Sequence, residues 1–195
     1  MRSSRRFSLF SCEVMMLAGF MLSGCLAKNE VRLLYDAPGA NIVPLATAPR
    51  VVVVQFEDKR STADIGVRKD GTAFQSSASV ASWVTQALAD ELARQGIQVS
   101  VALSMVQAEG SKPDYIVAGT VDKVWLSEKN ISSYQAEIRI QTRLQGGTQP
   151  EVTRTFIANQ EKAGIPGAKL AEETLSGTLK DVLAGAASAI VSSAR

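Results

Sequence analysis

The segment 134–145 alternates strictly between apolar and polar residues, and this pattern constrains the fold more than any other in the chain. Apolar residues or threonine occupy the even positions from Tyr134 to Leu144, and Gln, Glu or Arg occupies every odd position. Period-two alternation places successive side chains on opposite faces of a strand. We therefore predict a strand with one buried and one wet face, typical of an antiparallel sheet. The wet face stays open to water or to a partner.

Four other segments also have the character of strands. Residues 51–54 are four consecutive valines, and a run of β-branched residues is typical of a strand buried on both faces. Short loops join the three segments 114–127, 134–144 and 151–160, which predicts a meander. The four additional strands are predicted at 50–56, 97–103, 114–127 and 151–160.

Two segments are predicted as amphipathic helices, 76–95 and 168–194. In the first, an apolar residue recurs every four positions from Val80 to Leu92, serines precede the stripe as candidate N-caps, and Gly96 follows as a stop. In the second, Gly177 and Gly185 each weaken the helix by about 1 kcal/mol relative to alanine. Close packing of this helix on the sheet would explain both glycines.

These segments give the element order β-α-β-β-β-β-α. Two amphipathic helices with a strand meander favour an α+β fold. We predict a two-layer sandwich, with a mostly antiparallel sheet and both helices on one of its faces.

The first 24 residues have the three parts of a secretory leader. Arg2, Arg5 and Arg6 form a positive start, and residues 14–22 form an apolar stretch of about nine residues, too short to span a bilayer. The sequence Leu22-Ser23-Gly24-Cys25 follows, and it closely resembles the bacterial lipobox. That resemblance implies cleavage between Gly24 and Cys25, with acyl chains such as palmitate attached at Cys25. An ordinary signal peptide with an incidental cysteine, or an uncleaved anchor, is the alternative.

Residues 25–49 are predicted to be the lipidated N-terminus and a tether, and 50–195 a single α+β periplasmic domain. Pro38, Pro44 and Pro49 favour extended chain in the tether. Its apolar residues at 31 and 33–35 predict that part of it packs on the domain as an edge strand. Leu26, where some lipoproteins of enterobacterial type have Asp, implies by the same resemblance export to the outer membrane.

The composition of the mature chain excludes several classes of function. The whole chain has 21 basic and 19 acidic residues, and the leader takes three arginines and one glutamate, which leaves 18 of each. A neutral domain has no electrostatic basis for binding nucleic acid.

The chain has no histidine, and its two cysteines are Cys12 in the leader and Cys25. Serine and cysteine triads and Cys/His zinc sites are therefore excluded, and we predict no enzyme, no metal and no cofactor. Carboxylate-only mechanisms and all-oxygen metal sites survive this argument.

A polar stretch at 57–74 is predicted to be one long loop. It mixes acidic residues with basic ones, which favours a solvated loop over an oxygen-ligand metal site or a carboxylate pair. A partner-binding loop is the next interpretation, with Asp58 and Arg60 as candidate contacts. Trp125, near the end of a strand, is a third candidate contact, although packing is the commoner role of such a tryptophan.

The body of the chain resembles the YajG-like lipoproteins of Gram-negative bacteria. The resemblance depends on the lipobox, the proline-containing tether, the valine-rich strand leading into Phe56-Glu57-Asp58-Lys59-Arg60, the segment Tyr134-Gln135-Ala136-Glu137-Ile138 and the alanine-rich final helix. That family implies no catalytic residues. Residues 113–121 also resemble a strand of the N-terminal domain of TolB, and auxiliary lipoproteins of ABC-type lipid transport systems have a similar small body.

These observations predict a lipid-anchored lipoprotein on the periplasmic face of the outer membrane. We expect a non-catalytic binding or scaffolding module whose envelope partner the sequence does not identify. An accessory lipoprotein of a lipid or lipopolysaccharide transporter is the first alternative, and a hydrolase that uses carboxylates alone is an alternative of another class.

Overall fold

The computed structural model describes residues 29–36, 43–147, 150–165 and 167–194. Gly24 and Cys25, with the rest of the predicted leader, lie outside the described residues. The strands are β1 Glu30–Val31, β2 Arg50–Val54, β3 Glu57–Asp58, β4 Gly66–Val67, β5 Ala73–Ser76, β6 Gln98–Ala102, β7 Tyr115–Asn130, β8 Ser133–Gly146 and β9 Val152–Ala163. The helices are α1 Val80–Arg94, α2 Met105–Gly110 and α3 Ala168–Ala194.

The longest strand, β7, organises the whole sheet. Along one edge it pairs in turn with β2, β3 and β4, and along the other edge it pairs with β8. β8 in turn pairs with β9, and β2 with β6. The five predicted strands are therefore confirmed as β2, β6, β7, β8 and β9.

The prediction of a mostly antiparallel sheet is wrong, because the sheet is mixed. Of the described strand pairs, β7–β8, β8–β9 and β4–β5 are antiparallel, whereas the five others are parallel. The physical reason lies between β2 and β6. After β2 the chain passes through β3, β4 and β5 and then returns through α1 to the start of β6, so that β2 and β6 run in the same direction. The structure confirms a mixed α+β fold, with a third helix, α2, in addition to the two predicted.

α1 and α3 both contribute to the main core. Val84, Leu88 and Leu92 of α1 and Leu175, Leu179 and Leu183 of α3 are fully buried, together with Ile138 and Ile140 of β8. Ser79 caps α1 by accepting a hydrogen bond from the Ser82 backbone, and Gly96 follows its C-cap with a φ of 83°. The predicted close packing at Gly177 is confirmed, because a Cβ there would lie 2.5 Å from the Gln160 side chain.

The valine-rich strand β2 is buried on both faces, as predicted. Val51 and Val53 belong to the main core, whereas Val52 and Val54 form a second, smaller cluster with Ala102 and Ala108. The short helix α2 supplies Ala108 and covers only this part of the second face. Its Ser104 N-cap accepts a hydrogen bond from the Gln107 backbone.

The stretch 57–74 is more ordered than the predicted single loop. It contains β3 and β4, which pair with β7 beyond the end of β2, and it runs into β5. Such short strands have no periodicity of their own, and they form because the long β7 offers unpaired backbone groups beside them.

Residues 29–36, the N-terminal strap, pack on the domain. Val31 is 2% exposed and lies in β1, an edge strand that pairs with β5. Leu33 and Tyr35 also pack against the core. The predicted edge strand within the tether is therefore confirmed.

Candidate partner surface

The face of β7, β8 and β9 that points away from α1 and α3 is the candidate partner surface, called here the open face. β8 separates the two faces cleanly: Tyr134, Ala136, Ile138, Ile140 and Thr142 are buried, as its alternation predicts. Cross-strand register then places the following residues on the open face: Thr120, Lys123, Trp125, Gln135, Glu137, Arg139, Gln141, Arg143, Thr153, Thr155, Ile157 and Asn159.

Charged residues on and beside the open face form ion pairs. The Lys123 ammonium lies 2.6 Å from the Glu137 carboxylate, and Arg139 approaches the same carboxylate at 3.5 Å. Arg143 lies 3.7 Å from Glu151. Pairs this exposed contribute roughly 0–1 kcal/mol each to stability. Both signs therefore occur on this surface, and each of these cations lies near a carboxylate.

Trp125, one of the three candidate contact residues, lies on the open face. It is half-buried and lies directly across from Glu137 in the register of β7 and β8. A β-bulge at Asp122 shifts the alternation of β7 just before it, so that Lys123 and Trp125 point outward while Val124 and Leu126 are buried. The bulge therefore turns an aromatic ring toward the surface.

Asp58 and Arg60 form a unit that orders their own loop. Two Arg60 nitrogens donate to the Asp58 carboxylate at 2.9 and 2.7 Å, and the guanidinium also donates to the Asp64 carbonyl at 3.3 Å. These hydrogen bonds lower the pKa of Asp58. The Arg60 side chain is 7% exposed, whereas that of Asp58 is 37% exposed. Of the two candidate contacts, only Asp58 is presented to a partner.

The structure does not bring the three candidate contact residues to one place. Asp58 registers with Val121, whose side chain is buried in the main core, whereas Trp125 registers with Glu137 on the open face. The sequence does not indicate this separation, because it depends on which strands pair with β7 and on their register.

A groove of about 250 Å³ lies on the sheet beside the short helix α2. Its lining includes two acidic and two basic side chains: Glu57, Lys59, Arg143 and Glu151. Gly119, Thr120 and Thr153 are also among the lining residues. The charged side chains are paired within the groove, Lys59 with Glu57 at 3.4 Å and Arg143 with Glu151 at 3.7 Å.

Two buried carboxylates stand apart from the open face, and sequence analysis missed both. Glu91 on α1 is 2% exposed and accepts a hydrogen bond from the Tyr35 hydroxyl at 2.9 Å. Glu172 on α3 is 7% exposed and accepts two from Arg32. Burial, and then the hydrogen bond to Glu91, raises the pKa of Tyr35, and the Arg32 hydrogen bonds lower the pKa of Glu172. Each carboxylate accepts a hydrogen bond from a side chain of the strap, and we therefore assign both a structural role.

No group of three or more acidic, cysteine or histidine side chains that could hold a metal ion occurs within the described ranges. In the same part of the chain, no helix is both long enough and apolar enough to cross a bilayer.

Comparison with known proteins identifies a similar fold and indicates no activity. No family model matches the chain, and a search of curated proteins found no significant match. Among solved structures, a Xanthomonas campestris protein of the family model DUF330 is similar with a TM-score of 0.59 and 13% identity, over 84% of this chain and 95% of that one.

Two weaker likenesses are with named proteins. The PelC dodecamer subunit from Paraburkholderia phytofirmans has a TM-score of 0.45 and 15% identity over 74% of this chain and 95% of that one. Lipoprotein GNA1162 from Neisseria meningitidis has a TM-score of 0.36 and 14% identity over 74% of this chain and 99% of that one. Only the Xanthomonas likeness is strong enough to show a shared fold, and shared fold does not carry function. The predicted YajG-like membership is not confirmed.

Proposed function

We propose that this chain is a membrane-anchored periplasmic lipoprotein that acts as a non-catalytic binding or scaffolding module. The observation that carries the proposal is the sequence Leu22-Ser23-Gly24-Cys25 after a basic start and a short apolar stretch. Two or three acyl chains on Cys25 would hold the domain at a bilayer stably, whereas one chain alone holds it only marginally.

The position of the strap supports this proposal. The Asn29 carbonyl accepts a hydrogen bond from the Gln75 backbone, and Asn29 lies only four residues after Cys25. At no more than ~3.6 Å per residue, those four residues span ~14 Å at most. The domain would therefore be held close to the bilayer, and its open face would be concentrated there for an envelope partner.

The chemistry of the open face favours binding over catalysis. Its acidic groups, Glu137 and Glu151, are paired with cations instead of with each other. A carboxylate-only hydrolase needs two carboxyl groups facing one cleft, one of them with a raised pKa. The carboxylates with shifted pKa values in the described residues, Asp58, Asp70 and Glu172, all have lowered pKa values.

Membership in the YajG-like family and residence in the outer membrane are parts of the same proposal. The first rests on the lipobox, the Phe56–Arg60 segment and the strand at 134–138, and the second on Leu26. Fractionation of inner and outer membranes tests the location directly.

The experiment that tests the proposal is crosslinking in intact cells from the open face. A photo-reactive amino acid at Gln141 or Thr155, both on the open face, should capture an envelope protein. The same probe at Lys180, an exposed position on α3, is the matched control. Capture of the same partners from both faces, or hydrolytic activity lost on substitution of Glu137, would contradict a binding module that works through the open face.

A further inference from the structure

One end of the sheet carries two exposed isoleucines side by side. Ile131, at the tip of the β7–β8 hairpin, is 73% exposed, and Ile165, between β9 and α3, is 90% exposed. Their loops are joined directly, because the Gly164 backbone donates a hydrogen bond of 2.8 Å to the Ser132 carbonyl. Ser133 and Ala163 are also register partners. We call this region the hairpin end.

The tip of the hairpin is held in a fixed shape. The Asn130 side chain accepts hydrogen bonds from the backbone and the hydroxyl of Ser132, at 2.9 and 3.1 Å. Such an Asx turn fixes the backbone locally. Ile131 is therefore held outward by the turn and does not fold back onto the core.

The N-terminal strap enters the domain from this same end. β1 runs parallel to β5, β5 runs antiparallel to β4, and β4 runs parallel to β7. β1 thus runs opposite to β7, so the chain that precedes it comes from the side where β7 ends. Register places Asn29 beside Phe74, at the level of Leu126, because Glu30 registers with Gln75 and Phe74 and Leu126 both register with Gly66.

The number of residues between Cys25 and Asn29 limits which end of the sheet can lie at the bilayer. Cys25 lies at most ~14 Å from Asn29. Along β7, the hairpin tip is five residues from Leu126, about 17 Å, whereas the start of the strand at Tyr115 is eleven residues away, about 36 Å. Cys25 can therefore lie beside the hairpin end, and it cannot reach the level of Tyr115.

We propose that the hairpin end is the membrane-facing surface of the domain, and that Ile131 and Ile165 insert into the bilayer that holds Cys25. This inference rests on the proposed lipidation. Residues 129–133 and 163–167 contain no acidic residue, so the tips themselves carry no charge that a negative surface would repel. Lys69 and Lys129 near the tips are balanced by Asp70 and Glu128, so apolar contact, and not net charge, drives the insertion.

A single-cysteine experiment tests the inference on the lipidated protein. Ile131→Cys and Ile165→Cys each introduce one free thiol, since Cys12 leaves with the leader and Cys25 carries lipid. Val106→Cys is the matched control, because Val106 is 80% exposed and belongs to α2, which packs on Ile116 and Ala118 near the start of β7. Each thiol is labelled with a polarity-sensitive dye, and the protein is reconstituted into phosphatidylethanolamine–phosphatidylglycerol vesicles with and without spin-labelled lipid.

The inference predicts a blue shift and quenching at Ile131→Cys and Ile165→Cys, and neither effect at Val106→Cys. Water-like emission at both isoleucine positions in protein that floats with the vesicles would overturn it, as would equal quenching at Val106→Cys. A protein that carries no lipid on Cys25 gives a different result. The unsubstituted protein would then react with the dye at a free Cys25 and would not float with vesicles.

Discussion

Arg32 and Glu172 form a bidentate ion pair across 140 residues of chain, with nitrogen–oxygen distances of 2.8 and 3.0 Å. The Glu172 side chain is 8% exposed and that of Arg32 is 68% exposed. A buried carboxylate on the last helix is thus satisfied by an arginine from the N-terminal strap. Glu91 on α1 also accepts a hydrogen bond from the strap, through the Tyr35 hydroxyl, while its ion pair is with Arg94 of the same helix.

Substitution of Arg32→Gln should loosen the strap without unfolding the domain. The change leaves the buried Glu172 carboxylate without its charged partner, so the strap loses its ion pair with α3. We expect faster amide hydrogen exchange at residues 30–36 and unchanged exchange in β8. Arg139→Gln, which removes an exposed charge on the open face, is the control, and equal exchange at the strap in both variants would contradict the assignment.

Acid should weaken the contribution of Glu172 to stability. Arg32 lowers the pKa of Glu172 below its ordinary value of 4.5. A depressed folded-state pKa stabilises the fold above the unfolded value, and this stabilisation is lost as the pH falls through the folded value. The difference in unfolding free energy between the unsubstituted protein and Glu172→Gln should therefore be constant from pH 7 to about 5.5 and shrink as the pH falls below 4.5. Denaturation at a series of pH values measures it, and a difference that grows in acid would refute the assignment.

Thr85→Val should destabilise the domain because it removes a buried hydroxyl group. The buried Thr85 hydroxyl donates to the Ala81 carbonyl at 2.7 Å and accepts from the Phe56 backbone at 2.9 Å, which fixes the turn after β2 to α1. Valine leaves the Phe56 N–H unsatisfied, at a cost of about 1–3 kcal/mol. Urea denaturation should show this loss, and Thr85→Ser, which keeps the hydroxyl, should lose less.

Two Gly→Ala substitutions should act in opposite directions. A Cβ at Gly119 in β7 would lie 2.5 Å from both the Gln141 carbonyl oxygen and the Phe56 ring, so alanine should cost roughly 1–3 kcal/mol through overpacking. A Cβ at Gly110, the last residue of α2, would meet nothing within 4 Å. Gly110→Ala should be neutral, or stabilising by up to about 1 kcal/mol. Equal melting temperatures for the two variants would contradict the packing at Gly119.

Elements with a strong period were predictable from the sequence. The alternation of β8 indicated both its extent and its buried face, and the helical stripes and the glycine stop located α1 and α3. The parallel pairing of β2 and β6 was missed, although the helix between them implies it. β3 and β4 were missed because two-residue strands have no pattern, and they exist only because β7 extends past the end of β2.

The candidate surface was predictable in part. The wet face of β8 follows from its alternation, whereas Trp125 points outward because of the β-bulge at Asp122, which alternation does not predict. The partners of Glu91 and Glu172 did not follow, because no sequence signal connects a strap arginine with a helix carboxylate 140 residues away. The same holds for Arg60, which looks like a surface charge in the sequence and is almost fully enclosed by its own loop.

Intact-mass spectrometry of the processed protein, purified from membranes, tests the central claim most directly. The proposal predicts a chain that starts at Cys25 and is heavier than the polypeptide by a thioether-linked diacylglycerol with or without an amide-linked acyl chain. Cys25→Ala should abolish that added mass and release the protein from the membrane fraction. An unmodified thiol at Cys25, or a chain that still begins at Met1, would contradict the proposal.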